Sequence, residues 1–213
     1  MRRKCTLSFT NLYKQATFQS EIVSQMLRNE TFSVLEQLEN WSKVQLDFDA
    51  YQGYIPNNML GDTFEGIPDK FLSVDSSNLV VLSDTQKKQL QSFAWSLLGT
   101  PYFWGGRSPF GLDCSGFVQL CCKQIGYQIP RDAAQQAMIG KEVKVDFLPL
   151  DLLFFQAAYE NKKKITHVGF CWEDGKVLHA SGRVKLDKLV DGNIFDGEKV
   201  THTILSAKRL FKI

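Results

Sequence analysis

The stretch GLDCSGFVQLCCKQIG, residues 111–126, decides how we interpret the second half of the chain. It follows the glycine-rich turn WGGRSPF, residues 104–110, and its apolar residues recur at helical spacing until Gly126. Cys114 therefore falls in the first turn of a predicted helix, where unpaired N–H groups and the helix dipole lower the pKa of a thiol. This position is typical of a cysteine nucleophile.

The other cysteines are interpreted as packing residues. Cys121 and Cys122 lie two turns further along the same helix among apolar residues, Cys171 lies in the predicted strand GFCWE, and Cys5 is too close to the terminus to interpret. Five cysteines are an odd number, which favours reduced thiols over a disulfide framework. The adjacent pair has no histidine near it in sequence, so we predict no metal site and no cofactor.

Two of the three histidines are spaced as partners. His167 in THVGF and His179 in VLHASG lie twelve residues apart, and the segment between them includes the turn WEDGK. This spacing predicts that they lie opposite one another on neighbouring antiparallel strands, where one can act as a base and the other can orient it. His202, in VTHTIL, is predicted to be a surface or edge histidine.

The chain has two regions with different patterns, and the second, with helices followed by strands, predicts an α+β fold. Residues 1–65 contain short apolar runs of period two, typical of a small β-barrel, and residues 66–83 are interpreted as a linker. Residues 84–213 are predicted to start with a helix capped by Ser83 or Asp84 and stopped by Gly99. Strands follow the cysteine-containing helix at DLLFFQ, ITHVGFCW, KVLHASG and HTILSAKRL.

Composition excludes several classes of partner. The 213 residues carry 25 basic and 23 acidic side chains, a formal net charge of +2, and no basic stripe that would bind nucleic acid. No run reaches the roughly 20 apolar residues that a membrane span needs, and the start MRRKCTLSFT has no signal-peptide core. We expect a cytoplasmic monomer, or a periplasmic or exported protein if an export segment precedes Met1.

Several linked motifs point to a known family. GTPYFWGGRSPFGLDCSGFVQ, IPRDAAQQ, LPLDLLFF, THVGF and VLHASG resemble the NlpC/P60 cysteine peptidases in residue types, order and spacing over residues 84–213. WSKVQLDFDAYQGYIPNNML resembles the end of a bacterial SH3-like domain. The resemblance implies a papain-like catalytic domain preceded by a small SH3-like β-barrel, with Cys114 as nucleophile, His167 as base and His179 as the residue that orients it.

The same pairing of domains resembles the γ-D-glutamyl-L-diamino acid endopeptidases. It implies hydrolysis of murein stem peptides, L-Ala-γ-D-Glu-diamino acid, with the free amine of L-alanine bound beside the SH3-like domain. Asp113, Ser115, Tyr102 and Tyr51 match substrate-contacting positions by this resemblance. Capping of the helix by Asp113 and Ser115, and ordinary packing of the two tyrosines, are the alternatives. Glu21 and Glu30 are possible carboxylates for the amine, without a secure match, and barrel packing or solvated charge is the alternative for both.

Two other functions stay open at this point. A catalytically inert protein that binds cell-wall peptides would use the SH3-like domain as an anchor, although the intact cysteine and histidine set argues against it. An acyltransferase acting on lipids would need a membrane anchor that the sequence does not contain.

One departure from the family pattern also stands out. Leu150 in Pro149-Leu150-Asp151 occupies a turn position where glycine is usual.

Overall fold

The computed structural model describes residues 1–74, 79–159 and 163–212. Residues 75–78 of the predicted linker, and residues 160–162 and 213 of the predicted catalytic domain, lie outside the described part of the chain. Two seven-stranded sheets dominate the architecture, and three helices precede the strands of the second sheet in the chain. The α+β class and the predicted pairing of an SH3-like β domain with a papain-like domain are confirmed.

The first sheet is antiparallel and contains only residues of the predicted barrel. Its order is β3-β2-β6-β5-β4-β1-β7. The strands are β1 Arg2–Lys4, β2 Phe9–Tyr13, β3 Ile22–Leu27, β4 Thr31–Gln37, β5 Trp41–Leu46, β6 Gln52–Pro56 and β7 Asp62–Thr63, and Asn57–Met59 form a 3₁₀ turn. Alternate residues of β5 are buried, which matches the period of two in the sequence. The sheet encloses a core that includes Leu12, Met26, Phe32 and Ile55.

The segment between the two sheets packs on the second domain. It contains the short strands β8 Leu72–Ser73 and β9 Val80–Val81, which pair in parallel with β12 Tyr127–Gln128 and β20 Phe211–Lys212. Val74 and Leu82 are buried in the core of the second domain. The domain boundaries at residues 65 and 83 stay predictions.

Three helices follow. They are α1 Asp84–Ser96, α2 Cys114–Gln124 and α3 Ala133–Gln136, and the hairpin β10 Arg107–Ser108 and β11 Gly111–Leu112 precedes α2. Ser83, rather than Asp84, caps α1 through a reciprocal capping box with Gln86. Gly99 after α1 has a φ of +83°, in the left-handed region that glycine adopts without strain.

The second sheet has the order β13-β19-β14-β15-β16-β17-β18 and is antiparallel throughout. The strands are β13 Lys141–Val143, β14 Leu152–Ala157, β15 His167–Trp172, β16 Lys176–Ser181, β17 Arg183–Val190, β18 Asn193–Asp196 and β19 Lys199–Arg209, with a 3₁₀ turn at Glu173–Gly175. Because β18 also pairs with β19, six strands close into a ring. The sequence did not predict β17 or β18.

Helix α2 is the packing centre of this domain. Phe117, Val118, Cys121 and Cys122 are fully buried against the sheet and α1, and Phe117 meets Phe170 of β15 edge to face. The turn before β14 shows the expected departure from glycine, since Leu150 has a φ of +73°. Its side chain is buried, which offsets the backbone strain.

Candidate active site

The cysteine singled out by the sequence begins α2 and reaches a cavity. Asp113 is the N-cap residue, and its Oδ1 accepts a hydrogen bond of 2.7 Å from the Gly116 amide. Cys114 is 7% exposed and lines a cavity of about 700 Å³, whereas Cys121 and Cys122 are fully buried in the core. Among the three cysteines of this helix, only Cys114 is placed to meet a substrate.

The resting thiol differs from the expectation of a lowered pKa. Burial, reinforced by the neighbouring Asp113 carboxylate, raises the pKa of Cys114 to about 12, although the backbone N–H groups of Val168 and Ser115 and the Arg131 guanidinium act in the opposite direction. Burial also holds the pKa of His167 well below 6.5. Both groups are therefore neutral at rest, so a thiol that acted as a nucleophile here would have to pass its proton to a base beside it during the attack.

His167 and His179 form a direct pair. His167 Nε2 lies 2.7 Å from His179 Nδ1, and both rings are buried. The predicted strand pairing is correct, but the register is shifted by two residues: His179 faces Gly169, and His167 faces Phe155. A Cβ atom on Gly169 would lie 2.7 Å from the Cβ of His179, so the glycine makes room for the diagonal contact between the two imidazoles.

The prediction for His202 is wrong. Its ring centroid lies 4.2 Å from that of His167, and it lines the same cavity. The reason is the order of the strands, since β19 joins the far side of β14 and brings His202 opposite Ala157 while His167 faces Phe155. Burial lowers the pKa of His202 to about 4, so its imidazole is neutral near pH 7 where it meets the other two histidines at this end of the sheet.

We expect these depressed pKa values to make the folded state sensitive to acid. Below about pH 6.5 the unfolded chain binds protons at His167 and His202 that the folded chain does not bind, so the free energy of unfolding falls as the pH drops toward 4. Urea unfolding at pH 7.5 and pH 4.5 measures this loss. His202→Phe keeps a ring against His167 and should lose less stability between the two pH values; an equal loss would contradict the assignment.

Asp113 and Ser115 are tied into a buried polar network. The Arg131 guanidinium donates to both carboxylate oxygens of Asp113, at 3.0 and 2.6 Å, and to Ser115 Oγ at 3.0 Å. Asp113 Oδ2 also accepts from the Gly105 amide at 3.0 Å. The capping role of Asp113 is therefore present in the structure, and both residues line the cavity as well.

The predicted tyrosines lie on the cavity wall. Tyr102 is partly buried beside Cys114; burial raises the pKa of its phenol, and the neighbouring Cys114 and Asp113 side chains act in the same direction. Its hydroxyl therefore stays protonated and can donate. Tyr51 enters from the first domain and donates to Asp132 Oδ1 at 3.4 Å, and its pKa is raised to about 12 by burial and by this carboxylate.

The structure separates the two candidate carboxylates. Glu21 lines the cavity, accepts a hydrogen bond of 2.8 Å from Trp104 Nε1 and pairs with Lys14. Glu30 lies elsewhere, buried between Arg107 and Lys123, where it joins the first domain to the second. The interpretation of Glu30 as a ligand for the amine is therefore wrong, because both of its carboxylate oxygens already contact cationic side chains.

Sequence reasoning missed three residues at this site. Arg131 and Asp132 belong to the motif IPRDAAQQ, but nothing in this motif predicts a contact with Asp113 or Tyr51. Asp187 Oδ2 lies 3.0 Å from His179 Nε2, on a strand that the sequence did not predict.

Within residues 1–74, 79–159 and 163–212, no three metal-binding side chains are grouped. None of the helices described there has the length and apolarity to cross a bilayer.

Comparison with known proteins identifies the two domains. Residues 99–202 match the model of the NlpC/P60 family, and residues 12–60 match that of the bacterial dipeptidyl-peptidase SH3 domain. The chain carries an NlpC/P60 domain. A solved NlpC/P60 family protein from Bacillus cereus ATCC 10987 superposes with a TM-score of 0.77 over the whole of both chains at 20% identity, which shows the fold.

Curated relatives of the NlpC/P60 domain match over part of their length. The gamma-D-glutamyl-L-lysine dipeptidyl-peptidase of Bacillus subtilis is 54% identical over 84 residues, which is 39% of this chain and 28% of that protein. The probable endopeptidase NlpC of Escherichia coli is 41% identical over 95 residues, 44% of this chain and 58% of that protein. The matches thus span about a quarter to three fifths of these relatives.

Proposed function

We propose that the chain is a cysteine peptidase that hydrolyses the γ-D-glutamyl-L-diamino acid bond of murein stem peptides. The observation that carries the proposal is that one cavity is lined by Cys114 at a helix N-terminus and by His167, which is paired with His179 at 2.7 Å. The names of the Bacillus subtilis and Escherichia coli relatives support a cell-wall peptide as substrate.

In the proposed mechanism, the Cys114 thiol attacks the γ-carbonyl of D-glutamate while His167 takes its proton. The oxyanion is stabilised by the Cys114 backbone N–H at the start of α2 and by the Tyr102 hydroxyl. His167 then protonates the departing amine, and water hydrolyses the thioester. Since the thiol and the imidazole are both neutral at rest, proton transfer accompanies the attack.

The first domain supports selection of a free amino terminus. Glu21 and Tyr51 line the cavity from that domain, and Asp132 lies beside Tyr51. The hydrogen bond from Trp104 and the pairing with Lys14 lower the pKa of Glu21, so it is ionised at neutral pH. A carboxylate, a phenol oxygen and a second carboxylate are suited to the ammonium group of an L-alanine terminus. We therefore propose released peptides rather than intact wall as substrate.

The five cysteines, all within the described residues, are unpaired, and they fit a reducing compartment. The proposed site is complete within a single chain. We propose that the protein works as a monomer in the cytoplasm, on peptides that have been taken up or released.

Cleavage of two synthetic tripeptides tests the function. L-Ala-γ-D-Glu-L-Lys and L-Ala-γ-D-Glu-meso-diaminopimelate are incubated with the protein, and the expected product, identified by mass spectrometry, is L-Ala-γ-D-Glu. Binding of the tripeptides without any product would instead favour the inert peptide-binding protein.

Acetylation of the alanine nitrogen is expected to lower kcat/KM by roughly 10–100-fold, since charge-assisted hydrogen bonds contribute about 1.5–3 kcal/mol each. Glu21→Gln should reduce this preference for the free amine, while Glu39→Gln, an exposed position of the same domain, should leave it unchanged. Equal rates for the free and acetylated peptides would contradict the amine pocket.

A further inference from the structure

The side chain of His179 contacts a carboxylate as well as His167. Asp187 of β17 lies two residues beyond Lys185, the residue that faces His179 across the strand pair. Its Oδ2 is 3.0 Å from His179 Nε2 and 2.9 Å from Lys185 Nζ. The side chains of Asp187, His179 and His167 thus form an unbroken chain of short polar contacts, and His167 lines the cavity with Cys114.

A neutral histidine between two polar partners must carry its single ring proton on one particular nitrogen. A neutral imidazole has one N–H donor and one lone-pair acceptor, and the two tautomers exchange these roles. An asparagine or aspartate at the position of His179 would accept from His167 through a side-chain oxygen, so no choice of tautomer would arise. His179 can accept from His167 only when its own proton is on Nε2, because His179 Nδ1 faces His167 Nε2.

Asp187 selects that tautomer because an ionised carboxylate only accepts. Partial burial opposes ionisation of Asp187, but hydrogen bonds from His179 and Lys185 outweigh it and hold the pKa of the carboxyl below its usual value. Nε2 of His179 must then donate to Asp187, Nδ1 of His179 accepts from His167 Nε2, and His167 Nδ1 keeps its lone pair. That nitrogen is the one left to take a proton.

We propose that Asp187 is a positioning residue that acts through His179 to hold His167 in the tautomer and orientation able to accept the proton of Cys114. The inference rests on the proposed peptidase function. In the reaction a single proton moves, from Cys114 Sγ to His167 Nδ1, and the protons on His179 and on His167 Nε2 stay where they are. The negative charge of Asp187 also favours the imidazolium formed in that step.

Two further titratable groups, Lys185 and His202, contact this chain of side chains. The Lys185 ammonium contacts the same oxygen as His179 and weakens, without cancelling, the effect of the carboxylate. His202 packs on the ring of His167 and lies 6.2 Å from that of His179, measured between centroids. With a pKa of about 4 it stays neutral near pH 7, so it adds no charge to the chain.

The tautomer can be measured without substrate. The sequence has only three histidines, so ¹⁵N-histidine labelling gives six ring-nitrogen signals, and those lost in His179→Asn belong to His179. Long-range ¹H–¹⁵N spectra at pH 7.5 should show His179 with its proton on Nε2. Asp187→Asn has N–H groups that can donate to this nitrogen, and we expect a substantial fraction of His179 to shift to the Nδ1–H form.

Kinetics gives the second readout. With L-Ala-γ-D-Glu-L-Lys, Asp187→Asn should lower kcat roughly 10–100-fold with KM within about twofold, and Asp187→Glu should recover part of the rate. Asp196→Asn, an exposed change on β18, is the matched control and should behave as wild type.

A wild-type protein with His179 protonated on Nδ1, or an Asp187→Asn variant with wild-type spectra and kcat, would overturn the assignment. Absence of any cleavage by the wild-type protein would overturn the peptidase function, while the spectra would still judge the role of Asp187.

Discussion

Cys114→Ala is expected to reduce cleavage of L-Ala-γ-D-Glu-L-Lys by on the order of 10⁴-fold or more in kcat/KM. In cysteine and serine hydrolases, removal of the nucleophile leaves only the contributions of substrate binding and oxyanion stabilisation. The measurement is the rate of product formation by wild-type and variant protein at equal concentration. Cys114→Ser gives a second test with a similar volume, since a hydroxyl with an ordinary pKa is a much weaker nucleophile beside a neutral imidazole.

Cys122→Ala is the matched control for this loss. Cys122 lies two turns along the same helix and is fully buried in the core, so its replacement leaves a small cavity and removes about 1 kcal/mol of stability. We expect its activity to stay within about threefold of wild type. If Cys122→Ala lost as much activity as Cys114→Ala, the assignment of the nucleophile would be wrong.

The second large effect is expected on stability. Arg131→Met should reduce the free energy of unfolding by about 3–5 kcal/mol, because it leaves the Asp113 carboxylate buried without its cation. Arg131 is 2% exposed, and it also donates to Ser24 of the first domain at 3.1 Å, so the same change removes a link between the two domains. Thermal unfolding should shift downward by roughly 10 °C or more.

Two further variants show whether the lost charge pair is the cause. Asp113→Asn together with Arg131→Met removes both charges but keeps a side-chain oxygen that can cap α2, and it should be more stable than Arg131→Met alone. Arg183→Met replaces an exposed arginine and should leave the melting temperature nearly unchanged. A melting temperature for Arg131→Met as high as that of Arg183→Met would show that the buried pair contributes little.

Local patterns in the sequence were sufficient to place the main elements of the site. The glycine-rich turn before Cys114, the apolar spacing of α2 and the twelve-residue separation of His167 and His179 are each contained within about 20 residues of sequence. Helix periodicity and hairpin length are local properties, so they could be interpreted without knowledge of the rest of the fold. The buried positions of Cys121 and Cys122 follow from the same helical pattern.

The features that the sequence does not predict depend on contacts between segments that are distant in the chain. His202 reaches His167 only because β19 joins β14, a choice of strand order that no nearby residue encodes. The many charged residues of β17, including Asp187, obscure the apolar pattern expected of a strand, since one face of β17 is exposed. The two-residue shift between His167 and His179 depends on Gly169, whose missing side chain allows a diagonal contact that the twelve-residue spacing does not specify.

Electrostatics was the other source of error. A helix N-terminus lowers the pKa of an exposed thiol, but Cys114 is almost fully buried beside the Asp113 carboxylate, and burial outweighs the dipole. The partner that balances Asp113 is Arg131, 18 residues further along the chain. Neither the burial nor this pairing can be inferred from the residues next to Cys114.

The most direct test of the account is the identity of the covalent intermediate. Wild-type protein is mixed with L-Ala-γ-D-Glu-L-Lys, quenched in acid within milliseconds and digested, and the peptides are analysed by mass spectrometry. We expect an L-Ala-γ-D-Glu group attached as a thioester to the peptide that contains Cys114, and no such group in Cys114→Ala. Rapid cleavage with the acyl group on another cysteine, or with L-alanine alone as the acyl group, would contradict it.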